Sequence, residues 1–519
     1  MISIGVDVGG TNTDAVILED RCVIATHKTP TTHDITSGIR SALRALTQCD
    51  SVRAEHAHAI TIGTTHFVNA VVQRRSLNRV AALRICLPSS ASLLPFVDWP
   101  SDLAVVVDGG KYLVGGGNEY DGAQLAPLDE RAIADAARRI RADGVGAVAI
   151  TAVFSPLTNA LESRAAEIVL AEHPEARITL SSDIGRIGLL ERENATLLNG
   201  SLMDLAAQAT DAFAAAVSES GMSAPLFITR NDGTVSSVAD ARRFPVFSFA
   251  SGPTNSMRGA VFISDRDEAM VCDVGGTTTD IGFVKNGFPT EANNVIEVGG
   301  VRTLFRMPDV LSIALGGGTI VEEKDAGGIQ VGPRSVGHTL SQNALAFGGT
   351  TLTLSDIAVA TRRVVMGDAS LCADIRGSTL AGVERFVEEL ITESVDRMKA
   401  TAADVPVIAV GGGAMLVPDV MPGVSEVVRV AHHDVANAVG AAIAEVPGEI
   451  DRVYRDVPRA EAMANALSEA EQQAIAAGAD PAQLRTVEME DLPLAYLPGN
   501  ALRVRVRVVG PIGAAKPAG

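Results

Sequence analysis

The chain has 519 residues, 47% of them hydrophobic and 20% charged, which is typical of a folded globular protein of about three or four domains. Its formal net charge of −19 argues against nucleic-acid binding and against docking on anionic lipid, because both need clustered Lys and Arg. Five scattered cysteines, with no long apolar run and no N-terminal leader, predict a cytoplasmic protein without a membrane span.

Strand and helix signals alternate along the chain. Periodicity predicts, in chain order, a hairpin of strands 2–6 and 15–18, helix 37–47, strand 59–62, helix 128–142, strand 145–154, helix 195–218, a second hairpin of strands 269–274 and 280–284, helix 383–400, strand 407–410, helix 461–477, and strands 486–489 and 501–509. This alternation indicates an α/β fold. We expect units at residues 1–185, 186–445 and 446–519, the last a small α/β unit with a flexible tail.

The most informative feature is an internal repeat. Residues 7–14 read Asp-Val-Gly-Gly-Thr-Asn-Thr-Asp and residues 273–280 read Asp-Val-Gly-Gly-Thr-Thr-Thr-Asp. Each copy lies between two apolar strands, so two related lobes are predicted, each opening with a hairpin. A single copy is as well explained by an ordinary hairpin turn, but two near-identical copies favour a functional loop.

The composition of the loops suits phosphate and a metal ion. Paired glycines let backbone N–H groups approach phosphate oxygens, and the threonines add hydroxyl donors. The predicted ATP-binding residues are Gly9, Gly10, Thr11, Asn12, Thr13, Gly275, Gly276, Thr277, Thr278 and Thr279. Asp7 and Asp273 are predicted to hold Mg²⁺, partly through its waters. Asp14 or Asp280 is predicted to orient or deprotonate a nucleophile, and the sequence does not choose between them.

Two further Gly-rich turns are candidates for contact with the nucleotide. They contribute Gly316 and Gly317 after an apolar run, and Gly411, Gly412 and Gly413 after the strand at 407–410. Either turn alone is better explained as structural, and both gain weight as companions of two phosphate loops.

The motifs together resemble a known family. The matching stretches are GVDVGGTNTDAV (5–16), IGTTHFVNAVVQR (62–74), ERENATLLNG (191–200), SGPTNSMRGA (251–260), DVGGTTTDIG (273–282), ALGGGT (314–319), LTLSDI (352–357), VGGGAM (410–415) and HDVANAVGAA (433–442). They resemble the A subunits of the hydantoinase/5-oxoprolinase family, within the actin/hexokinase/heat-shock-chaperone ATPase superfamily. The resemblance implies two actin-like (ribonuclease H-like) lobes around an ATP cleft.

The resemblance also implies an activity. Such subunits use ATP and Mg²⁺ to phosphorylate the carbonyl oxygen of a cyclic amide or imide, which a B-type partner subunit then hydrolyses. This points to a homo- or hetero-oligomer. A small-molecule kinase, a ketone carboxylase subunit and a chaperone-like ATPase are the alternatives. Where many members have Ser-Asp-Gly-Gly, this chain has Asn231-Asp232-Gly233-Thr234, and it is shorter than the long A subunits.

Candidate substrate residues come from two of the matching stretches. Thr64, Thr65, His66 and Asn69 match a Gly-Thr-Thr segment that can line the acceptor pocket, although Thr64 or Thr65 can equally cap a helix. Arg192 begins a long helix, where it can meet substrate or phosphate, and a solvated helix face explains it equally well. For the pair His432-His433 a structural role is favoured over metal binding.

Overall fold

The computed structural model describes residues 1–10, 12–31, 35–120, 122–185, 188–292, 295–324, 328–495 and 499–513. Its β-strands are, in chain order, β1 (Ile2–Val8), β2 (Asn12–Glu19), β3 (Cys22–Pro30), β4 (Ala59–Thr64), β5 (Val80–Leu87), β6 (Asp108–Gly115), β7 (Ala147–Ala152), β8 (Arg177–Leu180), β9 (Leu226–Thr229), β10 (Val235–Ser237), β11 (Ala269–Val274), β12 (Thr279–Lys285), β13 (Phe288–Pro289), β14 (Ile296–Val298), β15 (Val301–Thr303), β16 (Val310–Ile313), β17 (Thr319–Glu323), β18 (Ile329–Ser335), β19 (Val405–Val410), β20 (Val424–Arg429), β21 (Val446–Tyr454), β22 (Arg485–Pro493) and β23 (Leu502–Gly510).

The α-helices are α1 (Ile35–Cys49), α2 (Ser51–Glu55), α3 (His66–Gln73), α4 (Ser101–Val107), α5 (Glu130–Ala142), α6 (Ala160–Glu172), α7 (Ser181–Ile184), α8 (Leu189–Glu219), α9 (Val238–Arg243), α10 (Ser251–Ile263), α11 (Leu340–Asn343), α12 (Leu354–Ala360), α13 (Gly377–Met398), α14 (Ala436–Ala442) and α15 (Arg459–Ala476). The strands and helices predicted from periodicity are confirmed, with ends that differ by a few residues. No helix of the described segments is long and apolar enough to cross a bilayer.

Two central sheets share one strand order. The first runs β3-β2-β1-β4-β9, with β10 added at its edge, and the second runs β13-β12-β11-β19-β20. In each sheet the first three strands in chain order are antiparallel neighbours. Strands β4 and β9 continue the first sheet in parallel, as β19 and β20 continue the second. Strand β16 is a further antiparallel partner of β12. This duplicated topology confirms the predicted α/β fold with two equivalent lobes.

The first lobe draws on more of the chain than predicted. The expected boundary lay at residue 185, yet β9 and β10, at residues 226–237, lie in the first sheet. The long helix α8 returns the chain to this lobe, because its apolar residues share a core with β1 and α1. A separate parallel sheet, β6-β5-β7-β8, is inserted between α3 and α8 and is covered by α5 and α6.

The C-terminal residues form a small unit of their own. Antiparallel strands β21, β23 and β22 carry α15 on one face. This helix buries Ala462, Ala466, Ala470 and Ala474, which are four residues apart and therefore lie on one stripe. The small side chains let the helix approach the sheet so closely that a Cβ on Gly448 would overlap the Ala470 carbonyl oxygen.

Helices α10 and α14 cross between the lobes, and each packs on the sheet of the opposite lobe. Helix α10 follows the strands of the first lobe, but it packs with β11, β12 and β19 of the second. Helix α14 follows the strands of the second lobe, but it packs on β1 and β2 of the first. The two helices touch through glycines: a Cβ on Gly259 would overlap the Ala436 carbonyl oxygen, and one on Gly440 would overlap that of Asn255. This crossing sets the position of each lobe against the other.

Candidate functional site

The two repeated hairpins have the same local geometry. In the first, the Gly9 N–H donates to the Asn12 carbonyl at 3.0 Å, and in the second, the Gly275 N–H donates to the Thr278 carbonyl at 2.9 Å. Strand register places Asp7 opposite Asp14. In the other lobe it places Asp273 opposite Asp280.

The hairpins face one shared cavity of about 750 Å³ between the lobes. All four aspartates line it. The other predicted residues in its lining are Gly9, Gly10, Asn12, Thr65, Gly275, Gly276, Thr277, Thr278, Gly317, Gly411, Gly412 and Gly413. The structure thus brings most of the candidate residues into a single site, as the duplicated loops predict.

Asp7 is held by both crossing helices. Asn255 Nδ2 of α10 donates to Asp7 Oδ1 at 3.2 Å, and Asn437 Nδ2 of α14 donates to Asp7 Oδ2 at 3.0 Å. The carboxylate is 3% exposed. Asp7 therefore links the first hairpin to both helices where they cross.

Burial changes the acidity of the two leading aspartates. It raises the pKa of Asp7 to about 6, and the neighbouring Asp14 adds to this increase. Burial likewise raises the pKa of Asp273 to about 6, against a hydrogen bond from Ser256 that lowers it, and Asp280 and Asp7 raise it further. Burial is the main cause of both increases, and the neighbouring carboxylates add to it.

The trailing aspartates have different partners. Asp14 forms an ion pair with Lys28 Nζ at 3.0 Å and accepts a hydrogen bond from Asn437 at 3.0 Å. Asp280 accepts a hydrogen bond from the Ser312 hydroxyl. Burial raises the pKa of both carboxyls, and the Lys28 ammonium opposes the increase at Asp14.

The Gly-rich turns pack against the second hairpin. The N–H groups of Gly317 and Gly318 donate to the carbonyls of Gly275 and Gly276 at 2.9 and 2.8 Å. Gly413 N–H donates to the Val274 carbonyl at 2.7 Å. Gly316 lies behind the lining, where a Cβ would come within 2.6 Å of Thr277 N. These hydrogen bonds join both Gly-rich turns to the backbone of the second hairpin.

Two glycines leave room for the leading aspartates. A Cβ on Gly411, which has φ +85°, would overlap Asp273 Oδ1, and a Cβ on Gly63 would overlap Asp7 Oδ1. Both glycines stand at the end of the strand parallel to the aspartate's own strand. The pair is thus a further sign of the duplication.

The Gly-Thr-Thr segment is divided between two roles. Thr65 lines the cavity and accepts a hydrogen bond from Asn69 Nδ2 at 3.2 Å. Thr64 is buried, and its hydroxyl accepts the His66 N–H at 3.1 Å, which satisfies the first turn of α3. His66 and Asn69 lie outside the lining, and burial lowers the pKa of His66.

Thr13 and Thr279 also lie beneath the cavity surface. Both are fully buried, and Thr279 donates to the Leu315 carbonyl at 2.6 Å. They support the hairpins from below and are not part of the cavity lining. The prediction for Thr11 lies outside the described residues.

Arg192 is placed away from the cavity. Its side chain is 1% exposed and donates to Ser181 Oγ at 2.9 Å and to the Ala152 carbonyl at 2.6 Å, at the end of β7. The neighbouring Glu193 is 2% exposed and forms a buried ion pair with Arg84. The solvated helix face considered for this segment is therefore wrong, and these side chains join α8 to the inserted sheet.

Glu193→Gln is expected to destabilise the fold by about 3–5 kcal/mol, because it leaves the buried Arg84 guanidinium without its counter-charge. Denaturant unfolding monitored by circular dichroism measures this. Glu130→Gln, which removes an exposed ion pair with Arg164, is the matched control and is expected to have little effect. Equal stability of the two variants would contradict the structural role of the Arg84–Glu193 pair.

Several residues at the site were not singled out by sequence reasoning. They are Lys28, Asn255, Ser256, Ser312 and Asn437. Asn255, Ser256 and Asn437 lie within the family-like stretches SGPTNSMRGA and HDVANAVGAA. For Asn437 the available signal was an amide within an otherwise small and apolar helix, since buried amides need partners.

Comparison with known proteins agrees with this architecture. A sequence model described as the hydantoinase/oxoprolinase N-terminal region matches residues 3–173, and one described as hydantoinase/oxoprolinase matches residues 192–370. The chain belongs to the hydantoinase/oxoprolinase family.

Proteins with similar sequences include two that are named as enzyme subunits. Caprolactamase subunit alpha of Pseudomonas jessenii is 26% identical over 420 residues, covering 76% of this chain and 59% of that subunit. Acetophenone carboxylase gamma subunit of Aromatoleum aromaticum is 25% identical over 387 residues, covering 68% of this chain and 52% of that subunit. The chain thus spans somewhat more than half the length of these relatives.

Solved structures share the fold over nearly the whole chain. The ATP-dependent caprolactamase from Pseudomonas jessenii superposes with a TM-score of 0.75 at 19% identity, covering 98% of this chain and 87% of that one. Nucleotide-free acetone carboxylase superposes with a TM-score of 0.69 at 18% identity, covering 99% and 89%. The fold shared with these two structures therefore extends through the C-terminal unit of this chain.

Proposed function

We propose that this chain binds Mg²⁺-ATP in the cavity between the lobes and phosphorylates the carbonyl oxygen of a cyclic amide or imide. A B-type partner subunit would then hydrolyse the activated ring. The observation that carries the proposal is the pair of equivalent Gly-Gly hairpins, which face one cavity lined by four aspartates. This is the arrangement that phosphoryl transfer needs, since its catalysis is mainly positioning and electrostatic stabilisation.

The low reactivity of amides explains why hydrolysis of a cyclic amide would require ATP. Amide resonance gives the C–N bond a rotation barrier of about 18–20 kcal/mol, and the same resonance makes the carbonyl carbon a poor electrophile. Transfer of a phosphoryl group to the oxygen removes that resonance and supplies a leaving group. Water can then attack the ring carbon at much lower cost.

The residues of the cavity fit a magnesium ion. Carboxylate oxygens are ligands that Mg²⁺ accepts, and the raised pKa values of Asp7 and Asp273 reflect carboxylates that gain from a nearby cation. The described residues contain no cluster of three or more His, Cys, Asp or Glu able to hold a metal alone. Mg²⁺ usually keeps several waters and takes one or two carboxylates plus phosphate oxygens. Bound at Asp7 and Asp273, it would neutralise phosphate charge.

The chain's own groups would do the rest. The Gly9 and Gly275 N–H groups close the two hairpins, and the N–H groups of Gly10 and Gly276 at the hairpin tips would donate to phosphate oxygens from the two lobes. The flat glycine surface at residues 411–413 leaves room for the nucleoside. Thr65 lines the first-lobe side of the cavity, and Asn69 donates a hydrogen bond to its hydroxyl. The carbonyl group of the acceptor would bind beside Thr65.

A second candidate is a ketone carboxylase subunit. It is favoured by the match to acetophenone carboxylase gamma subunit and by the shared fold with acetone carboxylase. The first step is the same in kind, because a ketone also offers a carbonyl oxygen to the γ-phosphoryl group. The two candidates differ in the acceptor and in the partner that completes the reaction.

Acceptor-stimulated phosphate release separates the candidates. We expect purified protein with Mg²⁺-ATP and a B-type subunit to release phosphate faster when hydantoin, ε-caprolactam or 5-oxoproline is added. A parallel set receives acetone or acetophenone with bicarbonate. Stimulation by ketones alone would favour the carboxylase, and a rate unchanged by every acceptor would refute phosphoryl transfer to a carbonyl.

A further inference from the structure

The two hairpins are equivalent in backbone but not in the partners of their trailing aspartates. Asp14 and Asp280 occupy the same register position, each opposite the leading aspartate of its lobe. On the far side of the second strand, Asp14 faces Lys28 of β3 and Asp280 faces Ser312 of β16. An ammonium therefore stands in one lobe where a neutral hydroxyl stands in the other.

In the first lobe, both oxygens of Asp14 are engaged. Oδ1 pairs with Lys28 Nζ and Oδ2 accepts the Asn437 amide, each at 3.0 Å. Lys28 also donates to the Asp434 carbonyl at 2.7 Å, just before α14. Asp14 is 4% exposed. Asp14 thus lies between a cation and an amide, and its charge stabilises the position of Lys28 and of α14.

In the second lobe, Asp280 is less constrained. Among the described residues its side-chain hydrogen-bond donor is Ser312, and no described cationic side chain forms an ion pair with it. It is more exposed than Asp14 and lines the cavity beside the second phosphate loop. A neighbouring ammonium lowers the proton affinity of a carboxylate, and the Ser312 hydroxyl is neutral, so Asp280 is the better placed of the two to accept a proton.

We propose that Asp280 is the group that accepts the proton from the nucleophile, and that Asp14 is a positioning residue for Lys28 and α14. This rests on the proposed function and settles which aspartate acts as the base. With an amide, the carbonyl oxygen forms the bond to the γ-phosphorus, the bond from that phosphorus to the bridging oxygen breaks to release ADP, and the N–H proton passes to Asp280. With water, the O–H proton takes the same route.

Lys28 has a matching role in this division. It is the only Lys or Arg among the described residues that line the cavity. Its side chain is 34% exposed, on the cavity side of its pair with Asp14. Asp14 would hold this ammonium where it can meet a phosphate oxygen of bound ATP, a contact that would contribute to nucleotide affinity.

The slow hydrolysis of Mg²⁺-ATP by water tests the roles assigned to Asp280 and Asp14, and it requires no knowledge of the acceptor. Asp280→Asn is expected to lower kcat by about 10²–10⁴-fold with little change in the KM for Mg²⁺-ATP, because a base acts in the transition state. Asp14→Asn is expected to raise KM and to lower kcat by less than about tenfold, because it releases Lys28 and α14. Ser312→Ala keeps the Asp280 carboxylate and is expected to retain most of kcat.

Thermal unfolding of each variant establishes that it is folded. A larger loss of kcat in Asp14→Asn than in Asp280→Asn would overturn the assignment, as would equal losses of kcat with KM unchanged in both. Because the assay needs no acceptor, a failure of every cyclic amide to stimulate the wild type would refute the proposed function alone. The comparison of the two aspartates would still decide between them.

Discussion

Asp273→Asn is expected to abolish Mg²⁺-ATP turnover and to stabilise the nucleotide-free protein at neutral pH. The loss of turnover follows from removing one of the two proposed metal-binding carboxylates. The gain in stability follows from burial, which raises the pKa of Asp273 from 3.8 to about 6, so that the ionised form costs about 2–3 kcal/mol at neutral pH. The neutral amide avoids this cost and can still accept the Ser256 hydrogen bond.

The pH dependence of this gain has a definite sign. Between the unfolded pKa and the raised folded pKa of Asp273, the native state binds more protons than the unfolded state. The free energy of unfolding of the wild type therefore decreases as pH rises through about 4 to 6. Unfolding free energies of wild type and variant should therefore differ most near pH 7.5 and converge near about pH 4. Asp419→Asn, which removes an exposed surface carboxylate, is the control. A destabilised variant at neutral pH, or one that still turns over ATP, would contradict the assignment.

Gly440→Ala is expected to be strongly destabilising, by about 3 kcal/mol or more, because a methyl group there would overlap the Asn255 carbonyl oxygen at the helix crossing. The same change should weaken nucleotide binding, since Asn255 and Asn437 hold Asp7 from the two helices. Alanine is the better helix former, so any loss is steric rather than a matter of propensity.

Gly377→Ala provides a matched control for that change. Gly377 begins α13, and a Cβ there meets no atom within 4 Å, so the substitution should be neutral or slightly stabilising. Unfolding midpoints and titration with a fluorescent ATP analogue measure both effects. If the Gly440→Ala protein has wild-type stability and nucleotide affinity, helices α10 and α14 can move apart without effect, and the prediction is wrong.

The sequence was informative wherever the cause of a structure is local. The hairpins at residues 7–14 and 273–280 were predictable because glycine pairs and flanking apolar strands determine a turn within eight residues. The same holds for α5, predicted at residues 128–142 and observed at Glu130–Ala142, where the Asp129 side chain caps the first turn by accepting the Ala132 N–H.

Contacts between distant segments were not predictable in the same way. Asn437 reaches Asp7 across most of the chain, and one sequence holds no record of that pairing. Arg192 and Glu193 look like a solvated face because two adjacent charges usually are, yet α8 is buried on all sides at residues 192–202. The boundary expected at residue 185 leaves β9 and β10 outside the first lobe, although both lie in its sheet. The residue pattern of a strand does not indicate which sheet the strand joins.

The exchange of α10 and α14 has a consequence for how such a protein is made. Val16 and Leu18 of β2 share a buried cluster with residues of α14, which follows position 434. The packing of the first sheet is therefore complete only once α14 has been synthesised. Each lobe completes its core with a helix that follows the strands of the other lobe.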